Sequence, residues 1–548
     1  MRRGFGLFLI LSVLLFSLYD LRQGSTLVLR AAGNYPVSNV DTGLGYGTIQ
    51  SAIDAPETLN GQTIVVGHGI YYERVVVNKS ISLIGEGHET VTVDGNGTGS
   101  VIKVTANNAR IGRFTVRNGS NGIEVAGSNN ALVTENVVVN TTNWAIYASY
   151  STNCTIRNNI AANNTYSGIL VTNSRDFAIS DNSAYGNGGY GINANDSRNG
   201  LIEHNDAFAN YYDGIGLSLV SVNCTIAGNN VFNNSIYGIW VDSDCAGNTI
   251  YVNNLVRNGI HALAGNLTNN WDSGFEGNYW SNYEGADMNN DGIGDTPYSV
   301  TGGGIDNHPL MGELYHFTAF RGHQMDFITN STIEDFVSFN SICTVRIHIS
   351  DKISNQTSGF CRVRLPHSLM IQPYNVSTDI AEVTFANYNL RDDGSSRWIY
   401  FTYAHQTREI LIRGTPVTTN LSPIIEILSP QNETYSSSSV PLNFTVSETT
   451  SWIGYCLDGK SNTTINGNAT LSDLPDGTHD LVIYIQDSYG NPEASARIYF
   501  AVSAQQVWFL FLEILAGVLV ALVVGAVLIM RLRRPRPKRP IKKAKRRT

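Results

Sequence analysis

The segments GILVT (168–172), GINAN (191–195) and GIGLS (214–218) decide the fold, because their pattern returns at a nearly fixed interval along the chain. Spacings of 23, 23, 23, 23, 24 and 21 residues separate seven Ile residues: Ile123, Ile146, Ile169, Ile192, Ile215, Ile239 and Ile260. The same period recurs in a second, aliphatic column: Val133, Ile156, Ile179, Ile202, Ile226 and Ile250. It recurs again in an Asn column: Asn136, Asn159, Asn182, Asn205, Asn229 and Asn253. A constant period of this length is the signature of a solenoid.

Each repeat is predicted to form one coil of a right-handed parallel β-helix, with two short strands and a turn that carries the column Asn. A small or apolar residue lies two positions after each column Ile, which is the alternation of a half-buried strand. One coil cannot bury its own apolar face, but coils stacked about 4.8 Å apart share a continuous core. Stacked Asn side chains predict a hydrogen-bonded ladder, and Gly before the column Ile predicts a turn with positive φ. These glycines are Gly122, Gly168, Gly191, Gly214 and Gly238.

The predicted fold class is all-β, with a parallel β-helix followed by two further β domains and a C-terminal transmembrane helix. The β-helix is predicted over 45–310, and a short helix near 46–53, begun by a Thr cap, would close its open end. Alternating runs over 312–420 predict a β-sandwich. Short strands over 421–503 predict an immunoglobulin-like domain.

Six cysteines form no evident metal motif or disulfide framework. Cys154 and Cys224 occupy equivalent repeat positions three coils apart, beyond the reach of a disulfide, and are predicted to be buried thiols. Cys343 and Cys361 flank a predicted hairpin around Ser354 and would pair if its register allows.

Both ends of the chain carry apolar segments. Residues 1–32 begin with Arg2 and Arg3, which an apolar run follows, and this pattern predicts a secretory signal cleaved near Ala31. Because Arg30 interrupts the small residues of an ideal cleavage site, an uncleaved anchor is the alternative. Residues 507–530 predict a transmembrane helix, and 531–548 contain eleven Lys or Arg residues that predict a cytoplasmic tail. The expected location is a single-pass membrane protein with its bulk outside the cell.

Charge argues against a nucleic-acid partner. The formal net charge is −9, with 36 basic and 45 acidic residues, and the basic residues concentrate in the tail. The part between the two apolar segments is therefore strongly acidic, which favours cations or neutral polymers as partners. Eighteen Asn-x-Ser/Thr sequons agree with exposure to a glycosylating exterior.

The repeat region, with its Tyr-Gly-Ile and Asp-Asn-x-x-x-x-Asn turns, resembles the NosD-type branch of pectate-lyase-like β-helices. The segments 277–283, 287–298 and 306–310 are similar to the terminal signature of that family. With two β domains and one C-terminal span added, the chain resembles surface proteins of prokaryotes, especially archaea. The resemblance implies carbohydrate binding or sugar hydrolysis, or delivery of copper to nitrous oxide reductase. Copper is the least favoured of these, because Met and His are scattered along the chain.

One acidic loop has the spacing of a calcium site. Carboxylate or amide residues fall at positions 1, 3, 5 and 9 of a calcium-loop pattern, and a backbone carbonyl falls at position 7. These residues are Asp287, Asn289, Asp291, Asp295 and, for the carbonyl, Ile293. The twelfth position is Tyr298 instead of a bidentate Glu, so a plain Asn/Asp/Gly turn is the alternative.

Catalysis on this fold would need two or three carboxylates that converge on one outward face. No acid pair stacks in the outward columns as they are predicted from the repeat. Asp181 and His204 share a turn column in neighbouring coils, and Glu203 lies beside them, so these three are the candidates for a catalytic site. Solvated turn charges are the plainer interpretation.

Aromatic residues favour binding instead. Trp144, Tyr166, Tyr190, Tyr212 and Tyr237 recur just before a strand, where they either stack on one another or contact a ligand. Tyr147 and Trp240 are predicted to project outward and are the preferred ligand contacts, because sugar rings stack well on aromatic faces. The predicted function is a membrane-anchored surface β-helix that binds a glycan or another extracellular partner without catalysis. A polysaccharide lyase or glycoside hydrolase is the main alternative.

Overall fold

The computed structural model describes residues 35–503 apart from 340–342, 353–357, 381–382, 384, 405, 417–424, 447–449, 461, 488–491 and 496. The described chain divides into two compact units, one that precedes residue 419 and one that follows it. The predicted signal at 1–32, the predicted span at 507–530 and the basic tail lie outside the described residues. Among the residues that are described, no helix has the length and apolarity to span a bilayer.

Three sheets, parallel apart from the first two strands of the first sheet, form a β-helix, so each regular coil contains three strands and the prediction of two strands was wrong. The first sheet contains, in stacking order, Leu44–Tyr46, Val37–Asn39, Thr63–Val66, Ser82–Gly85, Arg110–Gly112, Leu132–Thr134, Thr155–Arg157, Ala178–Ser180, Leu201–Glu203, Thr225–Ala227 and Thr249–Tyr251. The second contains Gly69–Tyr71, Val91–Asp94, Thr115–Arg117, Val137–Val139, Ile160–Ala162, Ser183–Tyr185, Asp206–Phe208, Asn230–Phe232, Asn254–Val256 and Tyr279–Trp280. The third contains Val75–Val77, Ser100–Val104, Asn121–Ala126, Ile146–Ser149, Ile169–Thr172, Ile192–Asn195, Ile215–Ser218, Tyr237–Val241 and Ile260–Ala264.

The N-terminal end of the β-helix is closed by one short helix, Ile49–Asp54, as predicted. Thr48 is its N-cap, and its side chain accepts a hydrogen bond from the Ser51 N–H while the Ser51 hydroxyl accepts from the Thr48 N–H. This reciprocal pair satisfies donors that the first helical turn leaves free. Ile49 and Ile53 are fully buried against the first coils and cover the end of the apolar core.

The predicted Asn ladder is confirmed. The seven stacked members Asn136, Asn159, Asn182, Asn205, Asn229, Asn253 and Asn278 are almost fully buried. Each of the first six donates its side-chain N–H to the amide oxygen of the next, at 2.9 to 3.0 Å. The same oxygen also accepts the backbone N–H of the preceding Asn, for example Asn182 N–H to Asn205 Oδ1 at 2.9 Å. A second ladder of the same kind, which the repeat columns did not predict, runs through Asn164, Asn187, Asn210, Asn234 and Asn258.

The glycines before the column Ile have a different role from the predicted one. Their φ angles are not positive. A Cβ on Gly168 would lie 2.7 Å from the carbonyl oxygen of Gly191, and one on Gly191 would lie 2.7 Å from that of Gly214. Contacts this short force the backbone apart, so Gly permits close approach of consecutive coils.

The Ile column ends one coil early. Ala262 and not Ile260 aligns with Ile239, because the last spacing of 21 residues shifts the register. Ile260 aligns with Tyr237 and is 41% exposed. Leu263 therefore follows Trp240 in the outward column.

After the β-helix come the short hairpin Tyr298–Ser299 with Ile305–Asp306 and then two antiparallel sheets, which we define as the two-sheet domain. Its five-stranded sheet contains Glu313–Thr318, Gln324–Thr329, Ser358–Pro366, Ser396–Ala404 and Phe385–Asp392. Its four-stranded sheet contains Ser331–Phe339, Thr344–Asp351, Glu409–Pro416 and Met370–Thr378. A short 3-10 helix, Phe320–Gly322, joins the first two strands, and both sheets contribute to one apolar core.

The structure contradicts the predicted hairpin between Cys343 and Cys361 and confirms the predicted burial of Cys154 and Cys224. Thr344–Asp351 and Ser358–Pro366 belong to different sheets, so the hairpin predicted around Ser354 does not form. No disulfide joins Cys343 to Cys361, and both are buried. Cys154 and Cys224 are buried and free, as predicted.

The second compact unit contains two sheets of its own. A three-stranded sheet contains Ile425–Ser429, Val440–Val446 and Ala469–Leu471. A six-stranded sheet contains Thr434–Tyr435, Ile498–Val502, Gly477–Asp487, Thr450–Leu457, Thr463–Ile465 and Pro492–Ala494. Both sheets supply side chains to one core. Its assignment as immunoglobulin-like stays a prediction.

Replacement of Asn205 by Ala should destabilise the β-helix by at least about 2 kcal/mol, because it leaves buried backbone groups of two coils without partners. The Asn205 amide donates to the Ile179 and Glu203 carbonyls at 2.9 Å each. Chemical denaturation followed by far-UV circular dichroism measures the loss. Asn270→Ala, at an exposed residue of the same β-helix, is the control and should change stability little. Equal effects of the two substitutions would contradict the ladder's role.

Candidate functional site

Aromatic side chains from successive coils form a continuous surface beside the third sheet. The Tyr190 ring stacks on Tyr212 and Trp240, with centroid distances of 6.2 Å and 6.0 Å. Tyr211 meets Tyr212 edge-on at 5.7 Å. Tyr211 and Tyr212 are 68% and 46% exposed, so the surface faces solvent. We define Tyr190, Tyr211, Tyr212 and Trp240 as the aromatic platform.

A glycine makes the platform continuous. In the outward column of the third sheet, Gly216 lies between Asn193 and Trp240. A Cβ at Gly216 would lie 3.0 Å from two carbons of the Tyr190 ring, so that ring rests directly on the Gly216 backbone. A larger residue at this position would lift Tyr190 away, and the stack with Trp240, two coils further on, would be lost.

Polar groups lie beside the rings. Asp213 is buried, and its carboxylate accepts the backbone N–H of Tyr237 at 3.0 Å. Burial raises the pKa of Asp213 to about 6, against the opposing effect of that hydrogen bond. Burial, with the nearby charges of Asp213 and Asp242, raises the pKa of Tyr190 to about 12. The Tyr190 hydroxyl is therefore a neutral hydrogen-bonding group at physiological pH.

The platform has the chemistry of a site for a flat, partly apolar and hydroxyl-rich molecule. Aromatic faces supply contact area and stacking, and the phenol and carboxylate groups supply directed hydrogen bonds. Acidic groups beside the rings disfavour anionic ligands.

The two predicted ligand contacts do not share this surface. Trp240 belongs to the platform, whereas Tyr147 pairs with Trp144 at a centroid distance of 4.6 Å. Leu170, Asn193 and Gly216 separate Tyr147 from Trp240 in the outward column. At about 4.8 Å per coil, the two residues are roughly 19 Å apart. Tyr147 therefore belongs to a separate aromatic pair.

The predicted catalytic candidates lie elsewhere, where the first sheet meets the two-sheet domain. The imidazole rings of His204 and His316 stack with centroids 4.0 Å apart. His316 Nδ1 lies 2.6 Å from a carboxylate oxygen of Asp326, and Arg364 donates to the other oxygen at 3.2 Å. We define Glu203, His204, His316, Asp326 and Arg364 as the junction cluster. With further residues, four of them line a cavity of about 200 Å³: Glu203, His204, Asp326 and Arg364.

Other contacts hold the two-sheet domain against the β-helix. The buried Arg362 donates twice to Glu276 Oε1, at 3.2 and 2.9 Å, and once to the carbonyl of Asp291 at 2.8 Å. The Asn254 side chain pairs with both backbone groups of Leu314 at 2.8 Å each. An apolar cluster of Ile293, Leu310, Leu314 and Ile328 fills the space between them. The junction is therefore a packed interface within one compact unit.

The junction charges shift one another's pKa values. Burial lowers the pKa of His204, and the charge of His316 lowers it further. Burial also opposes the charged form of His316, but the hydrogen bond and charge of Asp326 outweigh it and raise the His316 pKa. Burial raises the pKa of Glu203, and the charge of Asp181 adds to this. The pKa of His316 is thus raised and that of its stacking partner His204 is lowered, so acid protonates His316 before His204.

Two of the three catalytic candidates enter the junction cavity. Glu203 and His204 line it, whereas Asp181 lies one coil away on an exposed turn. Sequence reasoning missed His316, Asp326 and Arg364 because they come from another domain. Residues 316 and 326 are directly opposite in the first hairpin of that domain, so opposite charges across a predicted hairpin were the available signal.

The loop from Asp287 to Asp295 uses its acidic side chains to hold itself together. Asp287 accepts the N–H groups of Asp291 and Gly292 at 3.0 and 2.8 Å, and Asp295 accepts that of Met288 at 2.6 Å. Burial raises the pKa of Asp287 by more than these N–H groups lower it. Over the described ranges, no group of three His, Cys, Asp or Glu side chains is arranged to hold a metal ion. Calcium binding stays a prediction.

The junction predicts a specific dependence of stability on pH. The raised pKa of His316 stabilises the fold fully below its unfolded pKa of about 6.5, and this contribution disappears as pH rises through the folded value. The lowered pKa of His204 has the opposite effect on stability. As pH falls, the unfolded form binds a proton at His204 before the folded form does, so stability is lost in acid. His316→Gln should therefore lower the melting temperature most below pH 6.5.

His204→Asn should reduce the loss of stability between pH 7 and pH 5. Asn suits the left-handed backbone at this position, where φ is 53°. Melting temperatures at intervals from pH 5 to pH 9 test both variants, with the exposed His68→Asn as a control. Parallel pH profiles for wild type and both variants would disprove the assignment.

Comparison with known proteins agrees with the fold. Residues 65–285 match the family model described as periplasmic copper-binding protein (NosD). A cell surface glycoprotein of Methanothermus fervidus is 35% identical over 118 residues, which are 21% of this chain and 20% of that protein. The chain thus spans about a fifth of the length of this curated relative.

Solved structures that match this chain include the A-module of mannuronan C-5 epimerase AlgE6 from Azotobacter vinelandii. It is 21% identical, covers 45% of this chain and 86% of its own, and has a TM-score of 0.34. An alginate lyase from Paenibacillus sp. is 16% identical, covers 39% of this chain and 96% of its own, and has a TM-score of 0.28. Similarity at this level says nothing about activity. The resemblance predicted from the repeats is confirmed by the family match: residues 65–285 form a parallel β-helix and are similar to the NosD family.

Proposed function

We propose that this chain is a cell-surface protein whose β-helix binds a glycan at the aromatic platform without cleaving it. The observation that carries the proposal is the stack of the half-buried Tyr190 and Trp240 with the exposed Tyr212, close to the buried Asp213. The similarity of a 118-residue stretch to a cell surface glycoprotein supports the location.

The chemistry of the platform narrows the ligand. Stacked rings offer flat apolar faces, which suit the C–H faces of sugars. Asp213 and Asp242 add negative charge, so an uncharged glycan or an amino sugar fits better than a polyuronate. Another extracellular partner with an aromatic or sugar surface would use the same contacts.

A carbohydrate-active enzyme is the alternative, and the junction cluster supports it less well. Glycoside cleavage normally requires two carboxyl groups across the scissile bond. Of the acids that line the cavity, Glu276 is paired with Arg362, and Asp326 is held by His316 and Arg364. Glu203 is then the remaining cavity acid, and a space of about 200 Å³ is small for a polysaccharide chain.

Copper handling is a second alternative, suggested by the description of the matching family. Within the described segments, no three His, Cys, Asp or Glu side chains converge as ligands. Copper handling is the less favoured alternative, because Met and His are scattered along the chain. Anchoring to a membrane through 507–530, with a cytoplasmic tail, belongs to the proposal and rests on sequence alone.

Glycan binding is tested by applying the exterior part, residues 33–505, to an array of neutral, amino-sugar and acidic polysaccharides, with assays for retention and for released products. Retention of a neutral or amino-sugar glycan without products is expected. Trp240→Ala should weaken binding about tenfold, the loss of roughly one aromatic stacking contact. Tyr150→Asn, at a separate exposed ring with a left-handed backbone, should bind like wild type.

Two outcomes would contradict the proposal. Equal loss of binding in the Trp240 and Tyr150 variants would show that the platform is not the site. Released oligosaccharides that disappear in Glu203→Gln would establish the enzyme instead, with the acid in the junction cavity.

Calcium binding at the 287–295 loop is a further proposal, supported by three acidic side chains within nine residues. A bound Ca²⁺ would have to compete with the loop's own N–H groups for the carboxylates of Asp287 and Asp295. Millimolar calcium should raise the melting temperature of wild type and not that of Asp287→Asn, and magnesium should have less effect. A melting temperature that calcium leaves unchanged would rule the site out.

A further inference from the structure

One corner of the β-helix aligns consecutive glycosylation sequons. Asn118, Asn140 and Asn163 each follow a strand of the second sheet directly, in three successive coils, and Asn96 lies one residue later in the coil before them. All four have a left-handed backbone, with φ between 54° and 56°, and all four are exposed. Each begins an Asn-x-Ser/Thr sequence. We define these four residues as the sequon corner.

The sequon corner borders an open trough of about 500 Å³. Asn96, Asn118 and Asn140 line it, and Tyr72 at its edge is 71% exposed. The trough thus combines amide attachment points with an aromatic face on which a sugar ring stacks. The trough and the alignment of the sequons are two separate features of the same corner.

The four amides differ in availability. Asn118 donates its side-chain N–H to Asp94 at 2.8 Å. Over the described part of the chain, the side-chain amides of Asn96, Asn140 and Asn163 make no hydrogen bond that would have to be broken, and Thr98, Thr142 and Thr165 at the third sequon position are exposed.

In two other sequons, the Asn side chain is held by hydrogen bonds within the fold. The Asn266 side chain donates to the Ser243 and Cys245 carbonyls at 2.7 and 2.6 Å and accepts from Thr268. The Asn330 side chain donates to the Ser358 carbonyl at 3.1 Å and accepts the Phe360 N–H at 3.0 Å. Both amides are fixed in the fold, so these two sequons serve as internal controls.

We propose that the sequon corner is an N-glycan attachment surface, modified at Asn96, Asn140 and Asn163, with the sugars on Asn96 and Asn140 occupying the trough beside Tyr72. In the transfer, the Asn amide nitrogen bonds to the anomeric carbon of a lipid-linked glycosyl phosphate. The bond from that carbon to the phosphate oxygen breaks, the phosphate leaves with the electron pair, and the amide loses one proton. The proposal rests on the proposed location outside the cell.

Mass spectrometry of glycopeptides from the full-length protein, purified from the cells that make it, tests this inference. Glycan mass is expected on Asn96, Asn140 and Asn163, with lower occupancy on Asn118 and none on Asn266 or Asn330. Thr142→Ala removes the sequon at Asn140 and should reduce the intact mass by one glycan. Thr268→Ala, which removes the sequon at Asn266, should change the intact mass only by the substitution.

The outcomes separate this inference from the proposed function. Glycans at the exposed Asn78 and Asn153 with none at the sequon corner would overturn the inference while the surface location stands. Equal modification of the corner and of Asn266 and Asn330 would also overturn it, because the fold would then exert no selection. A chain without glycans at any site would overturn both the inference and the proposed glycosylating location. Binding at the aromatic platform is measured independently of all three results.

Discussion

Buried Asn side chains hold the coils of this β-helix in register, and the rest of the structure depends on that register. Each ladder amide satisfies backbone groups of its own coil and of neighbouring coils, as Asn205 does with Glu203 and Ile179. A turn buried between coils would otherwise leave carbonyl and N–H groups without partners, which costs about 1 to 3 kcal/mol for each group. The ladder therefore fixes both the turn conformation and the stacking of successive coils.

Fixed register turns distant sequence positions into neighbours. Residues 23 or 24 apart become adjacent in space, so a surface site is assembled from one residue per coil. Small residues then decide where a ring can lie: Gly216, in an outward strand column, admits Tyr190 against Trp240, and Gly228, in the turn column of His204, gives room to the His204 ring. The aromatic platform and the junction cluster both result from this combination of large and small residues on consecutive coils.

The sequence predicts those parts of the fold that repeat with strong side-chain signals. The Ile and Val columns and the Asn ladder follow from period and chemistry, and they are found in the first and third sheets. The second sheet was missed because its inward residues in the central coils are Ala161, Ala184 and Ala207, which are too weakly apolar to mark strands of three residues. The prediction of positive φ at Gly168 and Gly191 was wrong. Close approach of coils and positive φ both select Gly, and a sequence does not distinguish the two causes.

The two candidate sites also differ in how far the sequence predicts them. Trp240 was predictable as an outward aromatic residue, but its contact with Tyr190 depends on the absence of a side chain at Gly216. The junction was only half predictable, because His316 and Asp326 belong to a domain whose docking no repeat pattern encodes. This difference bears on function: the junction charges are mostly satisfied by one another inside an interface, whereas the platform rings are stacked and still open to solvent. A surface whose apolar area is organised but not covered is where a partner gains most from binding, because its contact removes that area from water.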